Sequence, residues 1–221
     1  VTVTQFLKAN LEGLNFRDRC FLKLASWVAI AFHYGQRRRS GDHYYYHCLR
    51  VGNRLKGEGI NCQIAGLLHD ILEQLSWLTK PLAMLAIILL FGWRIFRIVC
   101  ALTDWWDNDE RYYYQMARAI AAGYHEVLIV KLADKIDVVS EPFHQSAKRT
   151  IGYLRSVQGN FTIFALSSAE NLSEGQRKAV GTMLTTLLNV TGEELDRLFP
   201  YDDDNPGVPQ ARTPFLCSCA S

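Results

Sequence analysis

An all-α fold follows from three features of the 221-residue sequence. Apolar residues recur at three- and four-residue spacing through most of the chain. No series of segments alternates apolar and polar residues as half-buried strands would. Gly, Pro, Thr and Asn interrupt the periodic stretches where helices would start or stop. In order, Thr4 can cap a first helix through "FLKANLEGL". A second runs from near Asn15 to Tyr34, with Phe16, Phe21, Leu24, Val28 and Phe32 on its buried side. The Gly- and Arg-rich loop "GQRRRSGDHYYYH" follows. "CLRVGNRLKGEG" resumes as a helix and stops at Gly57 and Gly59. Asn61 can cap the next helix, which carries "AGLLHDILEQL". Pro81 opens a helical stretch to about Leu102, and "TDWWDNDER" is a polar, aromatic connection. "YYYQMARAIAAG" is helical to Gly123. "EVLIVKLADKIDVV" fits one buried helix, through Val127, Val130, Leu132 and Ile136, better than a strand. Two further helices fit 143–158 and 173–189. From Pro200 the chain has three more prolines and little periodicity, which predicts a flexible tail over 200–221 after a single domain over 1–199.

Composition narrows the function. Hydrophobic residues make up 49% of the chain, enough for a sizeable core. A net charge of +2 is too small to imply nucleic acid, so no nucleic-acid partner is expected. The six cysteines form no CxxC pair, which argues against a zinc ribbon and suits reduced thiols in a cytoplasmic protein. "VTVTQFLKAN" has neither a basic region nor a long apolar run, so no signal peptide is expected. "PLAMLAIILLFGW" is shorter than the ~20 apolar residues a membrane span needs. It is expected to be a buried helix, with no membrane partner.

The polar residues of "AGLLHDILEQL" need a reason, because charges on a core-facing helix are costly unless paired or bound to a metal. At about 100° per residue, His69 and Glu73 fall one turn apart with Asp70 beside them. An adjacent His-Asp pair is by itself more often a hydrogen-bonded structural couple. His47, opening an apolar helix, and Asp134, inside "KLADK", would complete a set of two imidazoles and two carboxylates. That mixed N/O set suits Mn(II), Fe(II) or Zn(II) rather than Ca(II).

The order H…HD…D resembles the HD-domain metal phosphohydrolases. The pieces "FHYGQRRRSGDHYYYH", "AGLLHDILEQ", "FGWRIFRIVCALTD" and "VLIVKLADKI" are similar to the hydrolase domain of RelA/SpoT-type proteins and their small single-domain relatives, from about Ala25 to Tyr153. The resemblance implies a compact HD-domain helical bundle that removes the 3′-pyrophosphate from guanosine tetra- and pentaphosphate, the nucleotide alarmones. It implies metal ligands at His47, His69, Asp70 and Asp134, with Mn(II) the leading metal and another divalent transition metal the alternative. Glu73, with Gln74 beside it, would handle the attacking water. Arg38 and Arg39 would bind base and phosphate. "RTIGY" matches a short R-x-x-x-Y element, placing Arg149 and Tyr153 on one helix face against the nucleotide.

Two departures bear on activity. The family reads H-D-x-x-E-D, where this chain has Gln74 in the last position. It has an Asn four residues after the final metal Asp, where this chain has Val138. Gln cannot take a proton and Val cannot hydrogen-bond. Asp137 could stand in only if its helix were distorted. Two other readings therefore stay open: a hydrolase for another nucleotide, and a nucleotide-binding pseudoenzyme with weakened catalysis. The sequence does not give the oligomeric state.

Overall fold

A computed structural model describes residues 2–73, 75–141 and 147–198, so the segment 200–221 lies outside the described residues. The described chain is helical without a strand, apart from one isolated bridge between Arg37 and His43. Helix α1 (Val3–Leu11) is capped by Thr2, two residues earlier than expected from Thr4, through a capping box with Gln5. Helix α2 (Phe16–Phe32) begins near Asn15 as expected, and Asn15 caps it by accepting from the Asp18 N–H. The loop through Gly41 leads into α3 (Tyr44–Arg54). Gly59, at φ 95°, forms the N-cap of α4 (Ile60–Leu68), so Asn61 lies inside that helix and does not cap it. The positive φ explains the glycine, since a Cβ would be strained there.

The HD stretch departs from the expected continuous helix. Helix α4 ends at Leu68, and His69 to Glu73 form turns. The reason is local: the last carbonyls of a helix need donors. The His69 ring supplies one, its Nδ1–H donating to the Gly66 carbonyl at 2.8 Å, and the Ile71 N–H reaches back to the Leu68 carbonyl at 3.2 Å. The chain then leaves the helix axis, carrying Asp70 and Glu73 with it.

Helix α5 (Lys80–Leu102) bends at Gly92, whose φ of 84° is outside the helical range. Its first half is not the fully buried helix expected. Ala83 and Ile87 face the core, but Leu82, Leu85 and Leu89 are exposed, as are Trp77 and Leu78 just before it. By length and composition α5 could cross a membrane; 39% of its most apolar window is buried here. Helix α6 (Asp109–Ala121) follows, capped by Asn108, and α7 (Glu126–Ser140) is the helix expected over "EVLIVKLADKIDVV". The stretch expected as one helix over 143–158 is α8 (Ala147–Ser156) running through a π-helical turn (Val157–Phe161) into α9 (Thr162–Ala169); residues 142–146 lie outside the described residues. Helix α10 (Glu174–Leu198) extends beyond the expected end at 189.

Helix α7 is the axis of the bundle. It packs against α3, α4, α5, α6 and α10, which explains why almost every residue from Glu126 to Val139 is apolar or buried. Helices α3 and α4 cross closely at Gly52 and Gly66, where a Cβ on Gly66 would collide with Leu55 Cδ1. That crossing brings His47 on α3 beside His69 at the end of α4. A buried amide chain ties α1 to the same pair: Asn10 donates to Asn53 Oδ1 at 2.8 Å, and Gln63 donates to Asn10 Oδ1 at 2.8 Å. Such buried polar groups hold position only when satisfied, as these are. One contiguous apolar cluster runs from Phe6 through Leu187.

Candidate functional site

Three segments converge beside the middle of α7. His47 comes from the first turn of α3, His69 and Asp70 from the turn after α4, and Asp134 from the middle of α7. All four are buried. His47 Nε2 lies 3.2 Å from His69 Nε2, 3.5 Å from Asp70 Oδ2 and 3.3 Å from Asp134 Oδ1. His69 Nε2 lies 3.2 Å from Asp70 Oδ1 and 3.6 Å from Asp134 Oδ1. Ligand atoms of His47, His69 and Asp70 fall within 4.8 Å of one another, a spacing that could hold a metal ion.

The hydrogen bonds behind these groups set which atoms face inward. His47 Nδ1 donates to Asp137 Oδ2 at 2.7 Å, and His69 Nδ1 donates to the Gly66 carbonyl. With Nδ1 protonated on both neutral rings, each Nε2 carries a lone pair, and the two lone pairs face each other and two carboxylates. Electron-rich atoms this close favour positive charge among them, which a metal ion or protons on the rings can supply. The donor set therefore fits a divalent transition metal. Electrostatics point the same way. Burial opposes protonation of His47, yet hydrogen bonds with Asp134, Asp137 and Asp70 raise its pKa to about 10. His69 is raised to about 9, with burial again opposing and the Asp70 charge and Asp134 prevailing. Against a burial penalty, the His69 charge holds Asp70 well below its usual range, and the Lys131 charge does the same for Asp134.

A second layer fixes this cluster. Asp137 also accepts from Arg50 Nε at 2.8 Å and Nη2 at 3.0 Å, and Arg50 pairs with Glu141 as well. The Tyr44 hydroxyl donates to Asp70 Oδ2 at 2.7 Å, and His33 stacks on the Tyr44 ring at 4.8 Å. Lys131 Nζ lies 2.9 Å from Asp134 Oδ2, which leaves Oδ1 to face the imidazoles. None of Arg50, Tyr44, Lys131 or Glu141 was singled out by the sequence. Asp137 was considered only as a substitute for an Asn at 138. On the undistorted α7 it lies three residues from Asp134, on the same face, and turns to His47 instead. That i, i+3 spacing was the signal available for it. Val138 is half-buried on α7.

The remaining expected residues surround the cluster unevenly. Glu73 opens to solvent, and its Oε1 accepts the Asp104 N–H at 2.8 Å. The protein packed around its carboxylate and the Asp70 charge raise its pKa. Gln74 lies outside the described residues. Arg38 is not a solvated charge: its Nη1 lies 2.7 Å from Glu141 Oε2 and 3.5 Å from Asp137 Oδ2, which ties the basic loop to the end of α7. Arg39 is exposed and makes no ion pair among the described residues. Arg149 is exposed on α8, while Tyr153 turns inward, with Lys135 Nζ 4.9 Å above its ring. Burial first, and then the Asp134 charge, raises the Tyr153 hydroxyl. Burial and the Lys131 charge lower Lys135 to about 8. Lys131 thus reaches the cluster at Asp134, and Arg38 reaches it at Asp137.

No family model matches this chain, and no curated protein matches it. A solved structure does: a metazoan ortholog of SpoT that hydrolyses ppGpp and plays a role in starvation responses. The match covers 79% of this chain and 95% of that one, with a TM-score of 0.56 and 19% sequence identity. The described helices share the overall fold of that SpoT ortholog. An all-α bundle is what the sequence predicts.

Proposed function

We propose that the chain is a metal-dependent phosphohydrolase that removes the 3′-pyrophosphate from guanosine tetra- and pentaphosphate. One observation carries the reading: Nε2 of His47 and of His69 each lie within 3.6 Å of carboxylate oxygens of both Asp70 and Asp134, while both ring Nδ1 atoms are already bonded. These four residues would hold one divalent metal, Mn(II) first among the candidates. Such a metal would supply an activated water at neutral pH and polarise a phosphate oxygen. Glu73, beside the cluster and raised in pKa, accepts the water's proton. The Asp104 N–H holds the Glu73 carboxylate in place. Arg39, with Arg38 at the base of its loop, offers planar guanidinium groups to base and phosphate. Arg149 and Tyr153 flank the nucleotide from α8.

Asp137 acts through His47, as a positioning residue. Replacing it by Ala would free the His47 Nδ1–H and release the tautomer that presents Nε2. Metal affinity should fall about 10–100-fold, the usual cost of losing such a partner. A competition titration with a fluorescent chelator measures this; unchanged affinity would show that Asp137 does not set the ring.

The apolar Val138 supports a second reading, in which the site binds nucleotide but turns it over weakly. Both are tested by loading the purified protein with Mn(II) and scoring phosphate and pyrophosphate release across a nucleotide panel. Pyrophosphate from guanosine tetraphosphate is the expected product. Release from a different nucleotide instead would reassign the substrate. A metal-loaded protein that releases nothing from any nucleotide would favour the binding reading.

A further inference from the structure

A cleft lies apart from the His/Asp cluster. It lies between the second half of α5 and the outer face of α6, with a volume of about 600 Å³. Arg97 from α5, Trp106 from the connecting loop, and Arg111, Tyr114, Gln115 and Arg118 from α6 line it. The α6 residues recur at helical spacing, opposite the buried Tyr112, Met116 and Ile120, so the helix presents them together.

We propose that this cleft binds a nucleoside polyphosphate, at a site separate from the His/Asp cluster. Three observations carry this. First, the cleft concentrates three guanidinium groups and no lining carboxylate, and none of the three makes an ion pair among the described residues. Like charges held in one concavity repel unless an anion joins them, and guanidinium forks match phosphate oxygens. Second, two rings are left open beside them: Trp106 is 50% exposed and Tyr114 is 66% exposed. The Arg118 guanidinium stands 5.9 Å over the Tyr114 ring, and Arg97 is carried between Trp93 and Tyr124 at 6.0 and 5.7 Å. A flat base can stack on such faces while the phosphates reach the forks. Third, the volume falls in the range of small-molecule sites, about 300–1,000 Å³. A phosphate chain alone would leave the rings unused, which selects a nucleotide over an inorganic anion.

The test is titration of the full chain with ATP in the presence of EDTA, by calorimetry and tryptophan fluorescence. Wild type and His69→Ala should bind ATP equally well. Arg111→Ala/Arg118→Ala should bind at least about tenfold more weakly, and Trp106→Ala should weaken binding and reduce the quench. Arg97→Gln is a second, single-site variant and should lose several-fold. Circular dichroism verifies that each variant is folded, as expected for exposed positions on α5, α6 and their loop. Tripolyphosphate should bind more weakly than ATP. Three results would overturn the proposal. If His69→Ala weakened binding and the arginine pair did not, ATP would occupy the His/Asp cluster. If wild type showed no saturable binding at millimolar ATP, the cleft would be a solvated basic surface. If tripolyphosphate bound as tightly as ATP, no nucleoside would be recognised.

Discussion

His69→Ala should reduce bound metal from one equivalent per chain to almost none. His69 Nε2 is central to the cluster, 3.2 Å from both His47 Nε2 and Asp70 Oδ1. An open metal site has few protein ligands, and losing one of four removes both affinity and geometry. The same change removes the donor to the Gly66 carbonyl, so the end of α4 also loosens. A buried acceptor left unsatisfied costs about 1–3 kcal/mol. The two effects separate on chelation. Binding at a thousandfold over Kd stabilises a fold by about 4 kcal/mol, so EDTA should lower the thermal midpoint of wild type. It should leave the midpoint of His69→Ala where it was. Equal metal content in the two proteins by elemental analysis would refute the assignment of all four ligands.

Glu73→Gln should lower pyrophosphate release by about 10²–10⁴-fold, the contribution of a positioned general base. The substitution is selective. Glutamine keeps an oxygen to accept the Asp104 N–H, so the turn after α4 and the loop after α5 stay joined. What it removes is the ability to take a proton. Metal content and thermal midpoint should therefore match wild type. If the variant retains full rate at matched metal loading, Glu73 does not handle the water, and another group must. A variant that loses metal as well would place Glu73 in the cluster itself.

The helices were legible because burial imposes a period on the sequence. "EVLIVKLADKIDVV" reads as a buried helix since α7 is surrounded on nearly every side. Asn15 caps α2 where that helix was expected to begin, a local signal, whereas the Asn108 cap of α6 falls in a stretch read as a connection. The π-helical turn after Ser156 was not legible, because its residues keep an ordinary helical pattern. Nor was the exposure of Leu82, Leu85 and Leu89, since an apolar stripe looks the same in sequence whether or not anything covers it.

The sequence by itself determined the all-α class and put forward His47, His69, Asp70, Glu73 and Asp134 as candidates, because each is a polar residue in or beside an apolar run. Tertiary structure decided how they meet. The stop of α4 at Leu68 depends on a ring proton reaching a carbonyl three residues back, and the tautomer of His47 depends on Asp137, 90 positions away in the chain. Arg50, Glu141 and Arg38 join only through Asp137 and the end of α7. Periodicity reports which face of a helix is buried; it carries no information about which two buried faces touch. Here that was set by the close crossing of α3 and α4 at Gly52 and Gly66, and by α7 packing against both.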